Sequence, residues 1–188
     1  MKKIMIIAAV AMAAIATQAA SFNWKTSTTG KVYEAGSTTA TITGMAYLFD
    51  VTTVTQSALV EAFAAGSLNL STKGSISSAS VASGKIAQTP DFDYAAVAAG
   101  STLNAYFAIV ANVGGEDMLY ISSQMPVVGI EGKANTATFN EKTFSQAAAM
   151  DASSGYSTAG WYQSVPEPTS GLLMLLGMAG LALRRRRA

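Results

Sequence analysis

The chain has no cysteine and no histidine among its 188 residues. Without cysteine there can be no disulfide, so in an exported protein the core alone must hold the fold. Without histidine the commonest general base and the commonest zinc and iron ligand are missing. Ser-His-Asp and Cys-His catalysis are therefore excluded within the chain. Arginine is confined to positions 184–187, and residues 20–165 hold six lysines against ten acids, a net charge of −4. A mildly acidic surface with no basic stripe argues against nucleic acid, whose phosphates call for clustered Lys and Arg.

What is present at the two ends concerns delivery. Lys2 and Lys3 precede an apolar run over residues 4–15, and Thr17-Gln18-Ala19 places small residues at the −3 and −1 positions of a cleavage site. This is the pattern of a secretory signal peptide spanning residues 1–19, cut between Ala19 and Ala20, with cuts after Ala16 or Ala20 as the alternatives. The apolar run is well short of the ~20 residues a membrane span needs. Its partners would be the Sec translocon and signal peptidase.

The other end has three parts. Val165-Pro166-Glu167-Pro168 should be extended, because proline fixes φ and pushes the residue before it out of the helical region. Residues 169–183 then carry no charge, and as a helix they would measure about 22 Å against a hydrocarbon core of about 30 Å. So short a span must thin the bilayer or borrow length from its flanks. Arg184, Arg185, Arg186 and Arg187 follow as a membrane stop; by the positive-inside rule they stay in the cytoplasm, and the domain ahead faces away from it.

In that order, these residues resemble the PEP-CTERM sorting signal of Gram-negative bacteria. The resemblance covers residues 165–188 and nothing of the domain before them. It implies recognition by exosortase, a membrane cysteine transpeptidase-like enzyme, with cutting near the Pro-Glu-Pro motif and release from an inner-membrane-tethered precursor to the cell surface or exopolysaccharide matrix.

Between the targeting segments, residues 20–164 make one domain of ordinary size. Short runs rich in Ser, Thr, Ala and β-branched residues alternate with glycine, which reads as strands. An edge strand is expected at residues 22–25 and strong strands at 39–50 and 103–112. The latter turns at Gly114-Gly115 into a return strand at 117–122. Weaker strands are expected at 75–85, 127–130, 136–139 and 143–146, a last strand at 156–163, and loop at 95–100. Residues 53–65 carry the one convincing helix, capped by Thr53 or Thr55 and closed by Gly66, with Leu59, Ala62 and Phe63 inward and Gln56, Ser57 and Glu61 outward. With no βαβ order, the expected fold is mainly β: an antiparallel β-sandwich with one short helix, flanked by an N-terminal signal helix and a C-terminal membrane helix.

Little in this domain carries chemistry. Gly155-Tyr156-Ser157-Thr158-Ala159 nearly matches a nucleophile elbow, but it lacks the final glycine and a histidine to activate Ser157. No lysine has serine three residues before it. Asp91 with Asp93, and Glu116 with Asp117, are the closely spaced acids; they lack the rest of a calcium loop and read as solvated charge. No metal or cofactor is called for. Trp24, Tyr120 and Trp161 are candidates for stacking on sugars, although such residues more often fill a core.

Three classes follow. The first is an exported structural or adhesive protein without its own catalysis. The alternatives are a carbohydrate-binding module of the exopolysaccharide matrix and a hydrolase using an acid pair. All three share one topology, which a cysteine placed at Ser153 tests. In the membrane-bound precursor it should react with a membrane-impermeant thiol reagent added from outside the cytoplasm, and reaction only from the cytoplasmic side would overturn the orientation.

Overall fold

The computed structural model describes residues 19–130 and 133–164. The hydrophobic run at 4–15, the Val165–Pro168 motif, the apolar span and the four arginines lie outside the described residues. No helix among the described residues is long and apolar enough to cross a membrane.

The domain is mainly β, built as two open sheets with a helix on the far side of the larger one. In the small sheet β1 (Ala19–Thr26) lies between β5 (Phe92–Ala98) and β9 (Asn135–Phe139). The large sheet runs β10 (Met150–Asp151), β11 (Gly160–Gln163), β7 (Glu116–Ile121), β6 (Thr102–Val113), β2 (Gly44–Asp50), β3 (Ser77–Ala82), β4 (Lys85–Ile86). β8 (Met125–Val128) also pairs with β6.

Alternation along the strands explains the layers. On β6, Leu103, Ala105, Phe107 and Ile109 turn toward the small sheet, while Tyr106 and Ala108 turn toward the helix. β2 divides in the same way, with Ala46 and Leu48 on one side and Phe49 on the other. From the small sheet Phe22, Trp24, Val97 and Phe139 complete the first core. The C-terminal end of β2 is therefore covered on both faces.

Helix α1 (Gln56–Ala64) covers the second core with Leu59, Val60 and Phe63. The Thr55 hydroxyl accepts from the Ala58 N–H at its start, and Gly66, at φ +64°, lets the chain leave. The β6–β7 hairpin turns on Gly114 and Gly115, both at positive φ, as the sequence indicates.

Several expectations are corrected. β1 is central in its sheet, not an edge, because β9 pairs with it in parallel across more than 100 residues of chain. The sheets are accordingly mixed, β10 and β11 forming a second parallel pair. Residues 95–98 are strand where loop was expected: β5 continues through a shift in register, with Tyr94 opposite Ala20 and Ala98 opposite Ala19 of β1. Residues 142–145 form a helical turn, α2 (Lys142–Ser145), instead of a strand. Gln56 is buried, its amide donating to the Ser122 carbonyl at 2.8 Å. The first strong strand begins at Gly44, later than residue 39, and the last strand begins at Gly160, later than 156.

The turn from β3 to β4 is pressed against the chain at Val32. Gly84 has φ +73°, and a Cβ there would lie 2.4 Å from the Val32 carbonyl oxygen. Gly100 has φ +83° with nothing within 4 Å. Left-handed strain alone costs roughly 1–2 kcal/mol. Gly84→Ala should therefore lose at least about 2 kcal/mol in denaturant unfolding, and Gly100→Ala only about 1. Equal losses would contradict the close approach.

Candidate functional site: the exit of the domain

The sorting segment leaves from β11, so the geometry of that strand fixes where the segment begins. β11 pairs antiparallel with β7, Trp161 opposite Tyr120 and Tyr162 opposite Leu119. The Trp161 indole N–H donates to the Tyr33 carbonyl at 2.9 Å. The Tyr162 hydroxyl donates to the Thr158 carbonyl at 2.6 Å and accepts from the N–H groups of Ser157 and Thr158. Both rings are fully buried. The chain is thus anchored through Gln163, and Ser164, the last described residue, lines a shallow hollow of about 400 Å³ with Phe63, Leu68, Val110, Glu116 and Asp117.

Trp24, Tyr120 and Trp161 have no exposed surface. Trp24 packs at 5.8 Å from Phe107, and Tyr120 at 5.2 Å from Trp161. None presents a ring face to solvent, so a sugar-stacking platform on these three is not what the fold builds. They are sheet-to-sheet packing, for which an inward position in a strand is sufficient cause.

Ala20 is likewise fully buried within β1, where Ala19 pairs with Ala98. A cut between Ala19 and Ala20 would therefore have to precede the closing of β1 into its sheet. Ser157 sits in the loop before β11, its hydroxyl against the Met150 sulfur at 3.3 Å. The acid pairs separate: Asp91 adjoins β5 in the small sheet, and Glu116 and Asp117 start β7 in the large one. Asp117 accepts from the Asn112 amide at 3.1 Å. Among the described residues no three acids stand together as a metal site.

One titratable group escapes sequence reasoning. Glu141 is fully buried, with Oε2 accepting from the Tyr120 hydroxyl at 2.6 Å and from the Ser123 N–H at 3.3 Å, and Oε1 from the Ser123 hydroxyl at 2.8 Å. Nothing local marks it among the ten acids, because its partners lie about 20 residues away on β7 and just beyond. Burial pushes its carboxyl above the usual carboxylate range, and the hydrogen bonds from Tyr120 and Ser123 offset part of that rise. Burial and the neighbouring carboxylate also raise Tyr120.

With the exit described, comparison with known proteins adds one finding. Residues 164–187 match the PEP-CTERM protein-sorting motif, the C-terminal sorting signal of exosortase substrates. The match begins at the residue where the anchored strand gives way. It implies export, a membrane-anchored precursor and processing by exosortase. No curated protein matches the chain, and no solved structure does.

Glu141 yields a pH prediction. A raised folded-state pKa gives stability that is fully present below the unfolded carboxylate range and is lost as pH rises through the folded value. Wild-type stability should fall from this cause as pH rises above the ordinary carboxylate range, and Glu141→Gln should flatten that part of the profile. Denaturant midpoints across the range measure it; an unchanged slope in the variant would contradict the assignment.

Proposed function

We propose that the chain is an exported structural or adhesive protein of the cell surface or extracellular matrix, delivered by exosortase and without catalysis of its own. Its domain is a β-sandwich that serves as the cargo of the sorting signal. The observation that carries this reading is the junction: the last strand is locked by Trp161 and Tyr162, and the sorting motif starts directly after it. The fold ends where the handling sequence begins, with no linker of its own between them.

Other features support the same reading. The three aromatics that would have served a carbohydrate-binding module are interior. The acid pairs that would have served a hydrolase stand on different sheets, and the buried carboxylate of Glu141 is enclosed by Tyr120 and Ser123. Secretion through the Sec translocon with removal of residues 1–19, and deposition beside exopolysaccharide, complete the proposed route.

Processing tests it. Protein recovered from the surface of the native host should lack residues 172–188 by mass spectrometry; surface material that retains them would mean a simple anchor. Pro166→Ala with Pro168→Ala should let residues 165–168 join the apolar helix, drawing Glu167 to the bilayer and hiding the cut site. That variant should stay membrane-bound and full length, whereas deletion of residues 184–187 should mislocate or be degraded.

A further inference from the structure

The hairpin of β3 and β4 comes apart early. Ser83 and Gly84, at φ +49° and +73°, make its two-residue turn. Beyond the turn the two strands pair only at Ala82 with Lys85 and at Val81 with Ile86. The chain then leaves β3 for the small sheet. The Ile86 N–H donates to the Thr26 hydroxyl at 3.1 Å, and the Thr89 N–H to the Trp24 carbonyl at 3.0 Å. A wedge of about 300 Å³ opens between residues 78–80 and residues 87–90. Backbone groups alternate in direction along a strand. Ala82 meets Lys85 across the turn, so Ser80 and Ser78 turn their N–H and C=O groups to the same side, into the wedge. No strand among the described residues stands there to receive them.

Open edges are normally blunted by charge, proline or a bulge. β5, at the edge of the small sheet, has such protection: Asp93 stands on it, and its register with β1 shifts between Ala19 and Ala20. β3 has none of these. Residues 74–84 contain no charged residue and no proline, and the pairing of β3 with β2 runs from Ser77 to Val81 without a shift. The net charge of −4 lies wholly elsewhere on the domain, so two copies repel each other least across this stretch.

We propose that the free edge of β3 is an interaction surface for a second copy of this chain, whose own β3 adds to it antiparallel about a two-fold axis at Ser78. The register follows from what bounds the edge. Ile76, whose N–H donates to the Leu48 carbonyl at 2.8 Å, is the first residue held to β2, and Ile86 already occupies the place beside Val81. Residues 76–80 of one copy therefore lie opposite residues 80–76 of the other, and Ser78 meets its own counterpart. A two-fold contact must be self-complementary, and a run of Ser and Ala meets that condition with no like charges opposed. Main-chain hydrogen bonds at Ser78 and Ser80 supply the attraction, as in strand addition generally. The contact is small, so the dimer is weak and concentration-dependent. This pairing depends on the fold alone and is independent of how the chain is sorted.

The experiment is sedimentation equilibrium of the full-length chain in density-matched non-ionic detergent at low ionic strength. Wild type should pass from monomer to dimer as its concentration rises. Ser78→Pro removes a donor that faces the wedge, so the domain should stay folded and remain monomeric. Ser78 is exposed, and Ser78→Lys or Ser78→Glu sets like charges against each other at the two-fold axis. Each alone should lower the association constant about fivefold or more, and the two mixed should restore it. That mixing readout holds even if the proline variant fails to fold. A wild type that stays monomeric throughout, a Lys–Glu mixture that does not recover, or a dimer that survives both charged variants, which would place the association in the apolar tail, would each overturn the proposal.

Discussion

The contact on which the fold depends is the ring of Phe107 with its three aromatic neighbours. Phe139 meets it edge-on at 5.0 Å, Trp24 at 5.8 Å and Tyr120 at 5.9 Å. Tyr120 in turn lies 5.2 Å from Trp161. These rings come from β6, β9, β1, β7 and β11, so one cluster joins the central strands of both sheets. With no cysteine anywhere in the chain, nothing covalent can share that task. Truncating a buried aromatic typically costs about 3–5 kcal/mol, against a total stability of about 5–15 kcal/mol for a domain. The cluster therefore accounts for why the two tryptophans are interior: a small, weakly charged domain has few large side chains and needs them for packing.

Local signals were legible and distant ones were not. The β6–β7 hairpin could be read because both strands, their alternation and the two turn glycines fall within 20 residues. The helix could be read because Thr55, the Leu59–Phe63 stripe and Gly66 are local as well. The place of β1 could not, since parallel pairing to β9 joins Phe22 to Asn135 and leaves no mark near either. Residues 95–98 misled because Ala95 and Ala96 carry little strand preference of their own, and β5 runs through them across a shift in register set by Tyr94 opposite Ala20 and Ala98 opposite Ala19. Gln56 and Glu141 are polar residues whose burial is decided by partners far along the chain, Ser122 and Gln124 for the first, Tyr120 and Ser123 for the second. The sorting motif was legible because it is a linear signal, read as an extended segment and needing no tertiary partner.

The anchoring of β11 bears on how such a signal is presented. Trp161 and Tyr162 are fixed on opposite faces of the large sheet, so residue 163 cannot slide without breaking both sets of contacts. Residues 165–168 then begin from a fixed point. Four residues, and so five steps from Cα to Cα, separate Ser164 from residue 169, and a chain spans at most about 3.3–3.6 Å per residue. The folded domain is accordingly held within about 20 Å of where the apolar segment begins. A sorting enzyme that cuts in this interval works in a narrow gap between fold and bilayer. Pro166 and Pro168 disfavour helix at the residues that precede them.

The route of export and the topology of the small sheet fit together through timing. β1 is the first strand made, yet its two neighbours are β5, some 70 residues later, and β9, more than 110 residues later. Contacts so distant are slow to form because loop closure precedes any reward. Until residues 135–139 arrive, β1 lacks Ala137 and Phe139 at its side, and its inward Phe22 and Trp24 have an incomplete core. The hydrogen bond from the Ser27 N–H to the Phe139 carbonyl at 2.7 Å closes this pairing at its far end. A chain threaded across a membrane from its N-terminus would therefore present β1 unpaired for most of its passage, with the Ala19–Ala20 bond open to an enzyme. The same bond is covered once β5 has paired with Ala19 and Ala20, and β9 holds residues 22–26 of the same strand. The late partners of the first strand complete the fold only near the point where β11 and the sorting motif emerge.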